Sequence, residues 1–329
     1  MTLSACLLRA ADQSLPMRYL PVLLLTATSV LAADRVYLTL EQSTGNPGTW
    51  QAVTMTSDML TADGRIDGGV FDTNNKFYRL KIHTPDPFLR EAAVIVQGGT
   101  LPVGSELAGQ TVGAFAIAKS EVTWDEWQRV RTFAIARGYD LAGIGTASSG
   151  NDPVREVSWC DVLKWCNAKS EMDGTVPVYR VGDTIYKTGQ SEPIVDADAN
   201  GYRLPTEAEW EWAARGGVNS QGRIYSGSND LNAAGWYWDN SGGATVIIYD
   251  GHGTRPVAQK AANELGLFDM SGNVFEWCFD SVVQDFHRIR GGSWFSNASA
   301  CRVTDRSLYD YAGSRYTYIG FRLARRSGI

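Results

Sequence analysis

The sequence predicts an α+β protein with little regular secondary structure, preceded by a small antiparallel β module. The first indication is composition, because 34 glycines and 11 tryptophans among 329 residues favour many turns and irregular segments held by large aromatic anchors. The second is periodicity, since three early segments alternate apolar and polar residues as short strands do, whereas later segments show helical spacing. A hydrophobic content of 44% is enough for a large domain with its own core beside the smaller module.

Residues 1–33 are predicted to be a signal peptide, with Met17 as an alternative start. The segment MRYLPVLLLTATSVLAA, which begins at Met17, has one arginine, an apolar run and small residues that resemble a cleavage site. A membrane anchor is the alternative, but the apolar run is shorter than the about 20 residues that a spanning helix needs. We therefore expect a secreted or periplasmic protein with no membrane span in the mature chain.

Residues 34–90 are predicted to form the small β module. The segments RVYLTLEQ, WQAVTMT and KFYRLKI alternate apolar and polar residues, and turn-forming NPG, DGR and TNN lie between them. Pro85 and Pro87 oppose continuation of a sheet, so they mark the linker. The second domain is predicted to occupy residues 91–329.

Three segments of the second domain are predicted to be helices. Thr123 and Glu126 form a capping-box pattern before the first, and Thr206 and Glu209 repeat it before the third. The second helix is expected to begin at Ser158 as its N-cap and to stop at a glycine at position 174. Its predicted apolar face consists of Trp159, Val162, Leu163 and Cys166.

Seven segments, taken together, carry a resemblance to a known family. They occur in the order GGTLPVGS, EVTWDEW, PVREVSW, RLPTEAEWEWAARGG, GLFDMSGNVFEW, RGGSW and GFRLAR. In this order and spacing they are similar to the formylglycine-generating enzyme family, also called sulfatase-modifying factors. The resemblance implies a C-type-lectin-like fold for residues 91–329 and a calcium ion. It also implies an oxidase that converts a sulfatase cysteine to formylglycine with O2 and a copper ion held by two thiolates.

The resemblance places a calcium site in GLFDMSGNVFEW. By position it would draw on the side chains of Asp269 and Glu276 and on the backbone carbonyls of Gly272 and Val274. Oxygen ligands in a flexible shell suit this hard cation. The alternative is a glycine-rich turn in which the two carboxylates cap backbone N–H groups without a metal.

The copper site is where the sequence departs from the family. Relative to Ser293, which is kept, the resemblance places one thiol at Ser296 and the other at Cys301. A hydroxyl cannot replace a soft thiolate in Cu(I) coordination, so the two-sulfur site is lost and copper is not expected. Cys301 and Ser293 are the catalytic candidates that remain. Anchoring the comparison on GFRLAR instead would move Cys301 to a core position.

Four cysteines lie outside the predicted signal peptide, and they allow three pairings between which the sequence does not choose. An oxidising compartment permits disulfides, and we favour a Cys278–Cys301 bond. Cys160 and Cys166 lie on one predicted helix, too far along it to bridge each other. They are expected to be small, buried apolar residues.

Residues 295–318 have the composition of a ligand-binding surface. The segment combines tyrosines with short polar residues and contains no Lys, Glu, Gln or Met, which is typical of antibody paratopes. It also resembles the variable region of retroelement-diversified binding proteins on this fold. A tolerant surface loop between RGGSW and GFRLAR is the alternative. The predicted contact residues are Phe295, Ser296, Asn297, Tyr309, Tyr311, Tyr316 and Tyr318.

Other chemistry has little support in the sequence. His83, His252 and His287 lack the spacing of a three-histidine metal site, so we expect surface or internally hydrogen-bonded histidines. A net charge of -6 argues against nucleic acid as a partner. The sequence thus predicts an exported family member that binds a protein or small-molecule ligand, with a formylglycine-generating oxidase as the alternative.

Overall fold

A computed structural model describes the chain over residues 37–44, 51–53, 76–83, 88, 92–243 and 249–327. The signal peptide predicted for residues 1–33 lies outside these ranges. The chain divides into two compact units, Met1–Asp86 and Pro87–Ile329. Within the described ranges, no helix combines the length and the apolar character that crossing a membrane requires.

The first unit contains a three-stranded antiparallel sheet in the order β2-β1-β3. Strand β1 (Tyr37–Thr44) pairs with β2 (Gln51–Val53) and, along its whole length, with β3 (Lys76–His83). The long pairing agrees with the alternation in YLTLEQST and KFYRLKIH, whose period of two matches the pleat of a strand. The segments predicted as strands thus pair as an antiparallel sheet.

Short strands dominate the described part of the second unit. They are β4 (Ala93–Val96), β5 (Gly99–Thr100), β6 (Thr111–Val112), β7 (Phe115–Ala118), β8 (Tyr179–Val181), β9 (Thr184–Ile185), β10 (Ile194–Val195), β11 (Tyr202–Arg203), β12 (Phe275–Val283), β13 (Phe286–Arg290), β14 (Tyr309–Tyr311), β15 (Ile319–Gly320) and β16 (Ala324–Arg326). They form sheets in the orders β11-β16-β7-β4, β14-β13-β12-β15, β10-β8-β9 and β5-β6. The sheet β11-β16-β7-β4 contains strands from both the beginning and the end of the unit.

Side-chain caps fix the starts of the three longer helices. The Thr206 hydroxyl and the Glu209 carboxylate form a reciprocal capping box, and Ser158 begins another. The Thr123 hydroxyl accepts a hydrogen bond from Glu126 N–H at 3.3 Å. The predicted helix starts are therefore confirmed. In the described part of the chain the α-helices are α1 (Trp124–Ile135), α2 (Trp159–Met172), α3 (Glu207–Ala214) and the single turn α4 (Leu231–Ala234).

Helix α2 is buried on every side over residues 159–170, so its burial includes the predicted apolar face and extends beyond it. Two of its buried polar side chains donate to backbone carbonyls of other segments. Lys164 Nζ donates to Gly189 O at 3.1 Å, and Asn167 Nδ2 donates to Tyr179 O at 2.7 Å. Hydrogen-bonded polar groups can be buried at little cost, which lets α2 run through the centre of the unit.

Tryptophan indoles tie distant parts of the core together. Trp159 Nε1 donates to Cys278 O at 3.0 Å, and Trp277 Nε1 donates to Val157 O at 3.0 Å. These reciprocal bonds join the start of α2 to β12. Buried indole N–H groups need such acceptors. The large aromatic residues therefore act as the anchors that composition predicted.

Strands β12 and β15 pair in parallel, Phe275 with Ile319 and Glu276 with Gly320. The pairing joins the GNVFEW segment to the GFRLAR segment. Residues 291–318 therefore leave the sheet after β13 and return to it at β15, with β14 paired to β13 on the way. This excursion, anchored at both ends, carries the predicted ligand-binding surface.

Candidate functional site

Ser293 and Ser296 close a tight turn after β13. Ser293 N–H donates to Ser296 Oγ at 3.0 Å, and the two hydroxyl oxygens are 3.1 Å apart. The chain enters the turn through Gly291 and Gly292 at φ of 94° and 77°, a region that favours glycine. Both serines are buried. Ser296, one of the predicted contact residues, thus uses its hydroxyl to close the turn, and its role in ligand contact stays a prediction.

The Cys301 thiol lies against this turn. A Cβ on Gly292 would overlap Cys301 Sγ, so glycine is what allows the close approach. The thiol is fully buried, its sulfur lies 3.6 Å from Asn297 O, and burial raises the pKa of Cys301 to about 12. Without a metal the group is therefore a protonated thiol at neutral pH, and a thiol in this state is a poor nucleophile.

The predicted Cys278–Cys301 disulfide is wrong, because both cysteines are free. The two thiols are buried in different parts of the core. Cys278, on β12, packs in a cluster with Trp210, whereas Cys301 belongs to a smaller cluster beside α4. Burial raises the pKa of Cys278 well above its usual value. Cys160 and Cys166 are free and buried, as predicted.

Residues 269–274 form a buried loop that leads into β12, where Glu276 lies. Asp269 Oδ2 accepts a hydrogen bond from Ala258 N–H at 2.6 Å, whereas its buried Oδ1 has no hydrogen-bond partner among the described residues. Burial raises the pKa of Asp269 to about 6. One carboxylate oxygen is thus left unsatisfied in the interior, which is energetically costly.

Glu276 is held by an internal cation. Arg322 donates to Glu276 through Nε and Nη2, each at 2.6 Å, and Trp210 Nε1 donates to the same carboxylate at 2.7 Å. Both members of the ion pair are fully buried. Glu121 lies in the same region, accepts a hydrogen bond from Val274 N–H at 3.1 Å, and has a pKa raised by burial and by the neighbouring carboxylates. Three carboxylates therefore share this part of the interior with one arginine.

Only part of the predicted calcium set fits that ion. The unsatisfied Oδ1 of Asp269 is the kind of atom that calcium binds. Glu276, however, already accepts its hydrogen bonds from neighbouring side chains. Across the described ranges, no group of three or more His, Cys, Asp or Glu side chains has the arrangement of a metal site. Calcium binding by these two residues with Gly272 and Val274 stays a prediction.

The rings among the predicted contact residues fall into two groups by ring-to-ring contact. Tyr309 and Tyr311 lie on β14 and flank Phe286 of β13, with ring centroids 5.9 Å and 5.8 Å from it. Asn297 is exposed, and its Oδ1 accepts a hydrogen bond from Ala300 N–H at 3.2 Å, which caps a short 3₁₀ helix. The remaining rings belong to a separate group.

That second group brings together rings from two parts of the chain, and we call it the aromatic surface. Tyr316 stacks on Tyr318 with centroids 5.1 Å apart, and Tyr318 stacks on Phe295 at 6.2 Å. Phe295 also meets Trp238 and Tyr249 edge to face, at 5.5 Å and 5.6 Å. The aromatic surface consists of Trp238, Tyr249, His252, Phe295, Tyr316 and Tyr318.

No sequence pattern predicts Trp238, Tyr249 and His252 as site residues. Trp238 stacks on His252 with centroids 4.0 Å apart and planes 10° apart. Tertiary packing places this pair beside the excursion, since Trp238 N–H donates to Ser296 O at 3.0 Å. The aromatic density of GWYWDN was a usable signal, but nothing local links that segment to Phe295.

Comparison with known proteins decides the family. Residues 82–327 match the family described as the sulfatase-modifying factor enzyme 1-like domain. The chain belongs to the sulfatase-modifying factor family. The predicted C-type-lectin-like fold is confirmed by the few helices and small sheets of this sulfatase-modifying factor domain, together with its similarity to solved structures of the same fold.

The relatives of this sulfatase-modifying factor domain bear names of different kinds. It is 34% identical over 245 residues to chaperone protein LppX of Paenibacillus barcinonensis, covering 67% of this chain and 84% of the relative. It is 38% identical over 173 residues to the formylglycine-generating enzyme of Thermomonospora curvata, covering 44% of this chain and 56% of that enzyme. Among solved structures it resembles Treponema denticola variable protein 1, with a TM-score of 0.56 and 29% identity over 71% of this chain and 94% of that one.

Proposed function

We propose that this chain is an exported recognition protein that binds a polypeptide partner through its exposed aromatic rings. The observation that carries the proposal is the turn in which the Ser296 hydroxyl is bonded to Ser293. This hydroxyl stands where the family resemblance places a copper thiol. The same excursion presents Phe295 and Tyr316 to solvent. Residues 291–318 therefore have a hydroxyl in place of a metal-binding thiol, and they expose aromatic side chains that a partner can contact.

The oxidase chemistry implied by the family needs two thiolates on one copper ion. The first position is a hydroxyl, and the second, Cys301, is a buried thiol with a pKa raised to about 12. The hydroxyl at the first position cannot act as a soft sulfur ligand, so coordination of copper by two thiolates is lost. Formylglycine formation is therefore not the function that we propose.

Several features support recognition of another polypeptide. Exposed tyrosines give large contact area at low entropic cost, and the short polar residues around them give adaptable hydrogen bonds. One relative is named a chaperone and one similar structure a variable protein. The similarity to the variable protein also favours residues 295–318 as a segment whose sequence can vary, including through diversification by a retroelement. Export rests on the leader-like composition of residues 17–33.

The proposal is tested with a fourfold variant, Tyr309→Ala, Tyr311→Ala, Tyr316→Ala and Tyr318→Ala. In a pull-down from an extract of the source cells, the wild-type chain is expected to retain a partner that the variant loses. Val103→Ala is the control, because this residue is exposed but lies outside both ring groups. A partner that binds the fourfold variant as well as the wild type would overturn the proposal.

A second readout addresses the oxidase alternative. The purified chain, supplied with Cu(I) and O2, is expected to leave a sulfatase-derived cysteine peptide unmodified. The Thermomonospora curvata formylglycine-generating enzyme serves as the positive control. Appearance of the aldehyde in the mass spectrum of the peptide, with this chain as the only protein, would contradict the proposed function.

Calcium is expected to raise the melting temperature of protein stripped with a chelator. The physical reason is Asp269 Oδ1, a buried anionic oxygen with no hydrogen-bond partner among the described residues. A ligand at a hundred times its Kd stabilises a protein by about 2.7 kcal/mol. Asp269→Asn removes the charge and should abolish the shift, and magnesium serves as the control ion. Equal melting temperatures with and without calcium would end the calcium proposal.

A further inference from the structure

Asn297 lies in the only Asn-x-Ser/Thr sequence of the chain, Asn297-Ala298-Ser299. This pattern, with no proline in the middle, is the acceptor sequence for N-linked glycosylation of exported proteins. An acceptor asparagine must also be accessible, so its surroundings decide whether it can serve. Both Asn297 and Ser299 are exposed.

The hydrogen bonds of Asn297 use the oxygen of its side-chain amide. Oδ1 accepts from Ala300 N–H at 3.2 Å and from the Ser299 hydroxyl at 2.6 Å. The first of these bonds caps the 3₁₀ helix Ala298–Cys301. A glycosylated asparagine keeps this oxygen as an acceptor, because the sugar is attached through Nδ2. The folded chain can therefore carry a glycan at Asn297 without losing the cap.

Phe295, two residues before Asn297, offers a ring on which the first sugar can pack. The ring is 45% exposed, and it is held in place by stacking on Tyr318, with centroids 6.2 Å apart. The chain turns between the two residues, since Ser296 N–H donates to Ser293 O at 3.0 Å. A sugar ring has a face of C–H groups, and packing that face on an aromatic ring removes apolar surface from water.

We propose that Asn297 is an acceptor of an N-linked glycan whose first sugar packs on Phe295. The inference rests on the export that is part of the proposed function, because the donor is an oligosaccharide on a lipid diphosphate and is used outside the cytoplasm. In the transfer a bond forms between Nδ2 and C1 of the sugar, and the bond from C1 to the diphosphate oxygen breaks. The amide nitrogen gives up one proton, and the lipid diphosphate is the leaving group.

The test uses the full chain with its own leader, secreted by a eukaryotic host cell that glycosylates exported proteins. Trypsin releases residues 291–302 as one peptide that contains the acceptor sequence. Its mass spectrum is expected to show an attached oligosaccharide. Peptide N-glycosidase is expected to remove the oligosaccharide and to convert Asn297 to aspartate. An unmodified peptide in all of the secreted protein would overturn the proposal.

Variants of the acceptor sequence show whether attachment depends on it. Ser299→Ala is expected to abolish the glycan, whereas Ser299→Thr keeps the required hydroxyl and should retain it. Asn219→Gln is the control, because Asn219 is exposed but has serine one residue later instead of two. A glycan at Asn297 of the Ser299→Ala variant would contradict the assignment.

The packing on Phe295 is tested by melting temperature. Each chain is compared with and without its glycan after treatment with peptide N-glycosidase, so the conversion to aspartate is the same in all of them. The glycan is expected to raise the melting temperature of the wild type more than that of Phe295→Ala. Tyr309→Ala, which is 46% exposed and lies in the other ring group, should show the wild-type shift. Equal shifts in wild type and Phe295→Ala would overturn the packing.

The failure of this inference is distinguishable from the failure of the proposed function. A second chain carries the leader of a known secreted protein in place of residues 1–33. If only this chain is secreted and glycosylated, the proposed export is wrong and Asn297 stands as the acceptor. If it is secreted without a glycan, the acceptor is wrong. The fourfold tyrosine variant keeps Phe295, Asn297 and Ser299, so it tests recognition without altering the acceptor.

Discussion

Replacing Arg322 with alanine is expected to lower the free energy of unfolding by about 3–5 kcal/mol. Its guanidinium is fully buried and pairs with Glu276 at 2.6 Å. It also donates to Ala118 O at 3.1 Å and to Phe268 O at 2.8 Å. Its removal leaves Glu276 buried without a counter-charge and close enough to Glu121 for repulsion. The loss is measured by urea unfolding followed through tryptophan fluorescence.

Two further variants test the reason for this loss. Arg129→Ala removes a side chain that is 60% exposed and 3.9 Å from Glu126, and it should cost less than about 1 kcal/mol. Arg322→Ala combined with Glu276→Gln also removes the unpaired charge, so the double variant should be more stable than Arg322→Ala alone. A double variant that is no more stable than the single one would show that the buried charge is not the cause.

Replacing Gly272 with alanine is expected to cost about 2–4 kcal/mol. Gly272 has a φ of 96°, and a Cβ there would overlap the backbone oxygen of Trp236. The backbone conformation alone costs a side-chain-bearing residue about 1 kcal/mol, and the overlap adds about 1–3 kcal/mol because the chain must move. Urea unfolding of the purified variant measures the effect.

Gly222→Ala is the matched control for this substitution. Gly222 also has a positive φ, 66°, but nothing lies within 4 Å of a Cβ at that position. It should therefore show only the conformational cost, about 1 kcal/mol. An equal decrease in the free energy of unfolding for the two variants would mean that the loop before β12 accommodates the added Cβ at no extra energetic cost.

Local chemistry made the helices predictable, whereas the sheets depend on distant partners. Thr206 and Glu209 specify the start of α3 from positions three residues apart, through bonds that involve no other part of the chain. Strand β11 is two residues long, and it exists because β16 lies beside it. A strand of that length has no periodicity to detect. The family resemblance could therefore give the fold, whereas periodicity could not.

The same distinction explains the outcome at the candidate site. The lack of a thiol at Ser296 could be read from its position after Ser293, but its burial depends on the turn that the two hydroxyls close. The pairing of Cys278 with Cys301 could not be judged without knowing that they pack in different clusters. The contact of Trp238 with Phe295 likewise arises only when distant segments pack together.

The two indole hydrogen bonds between the start of α2 and β12 also limit how early in synthesis the core around α2 can form. Trp159 finds its acceptor 119 residues later, and Trp277 donates to a carbonyl 120 residues earlier. Asn273 reaches Glu121 across 152 residues. Helix α2 therefore cannot complete its packing until β12 has been synthesised and has left the ribosome. Contacts between residues this far apart in sequence also form slowly. Closure of the core around α2 is therefore expected only after nearly all of the chain has been synthesised.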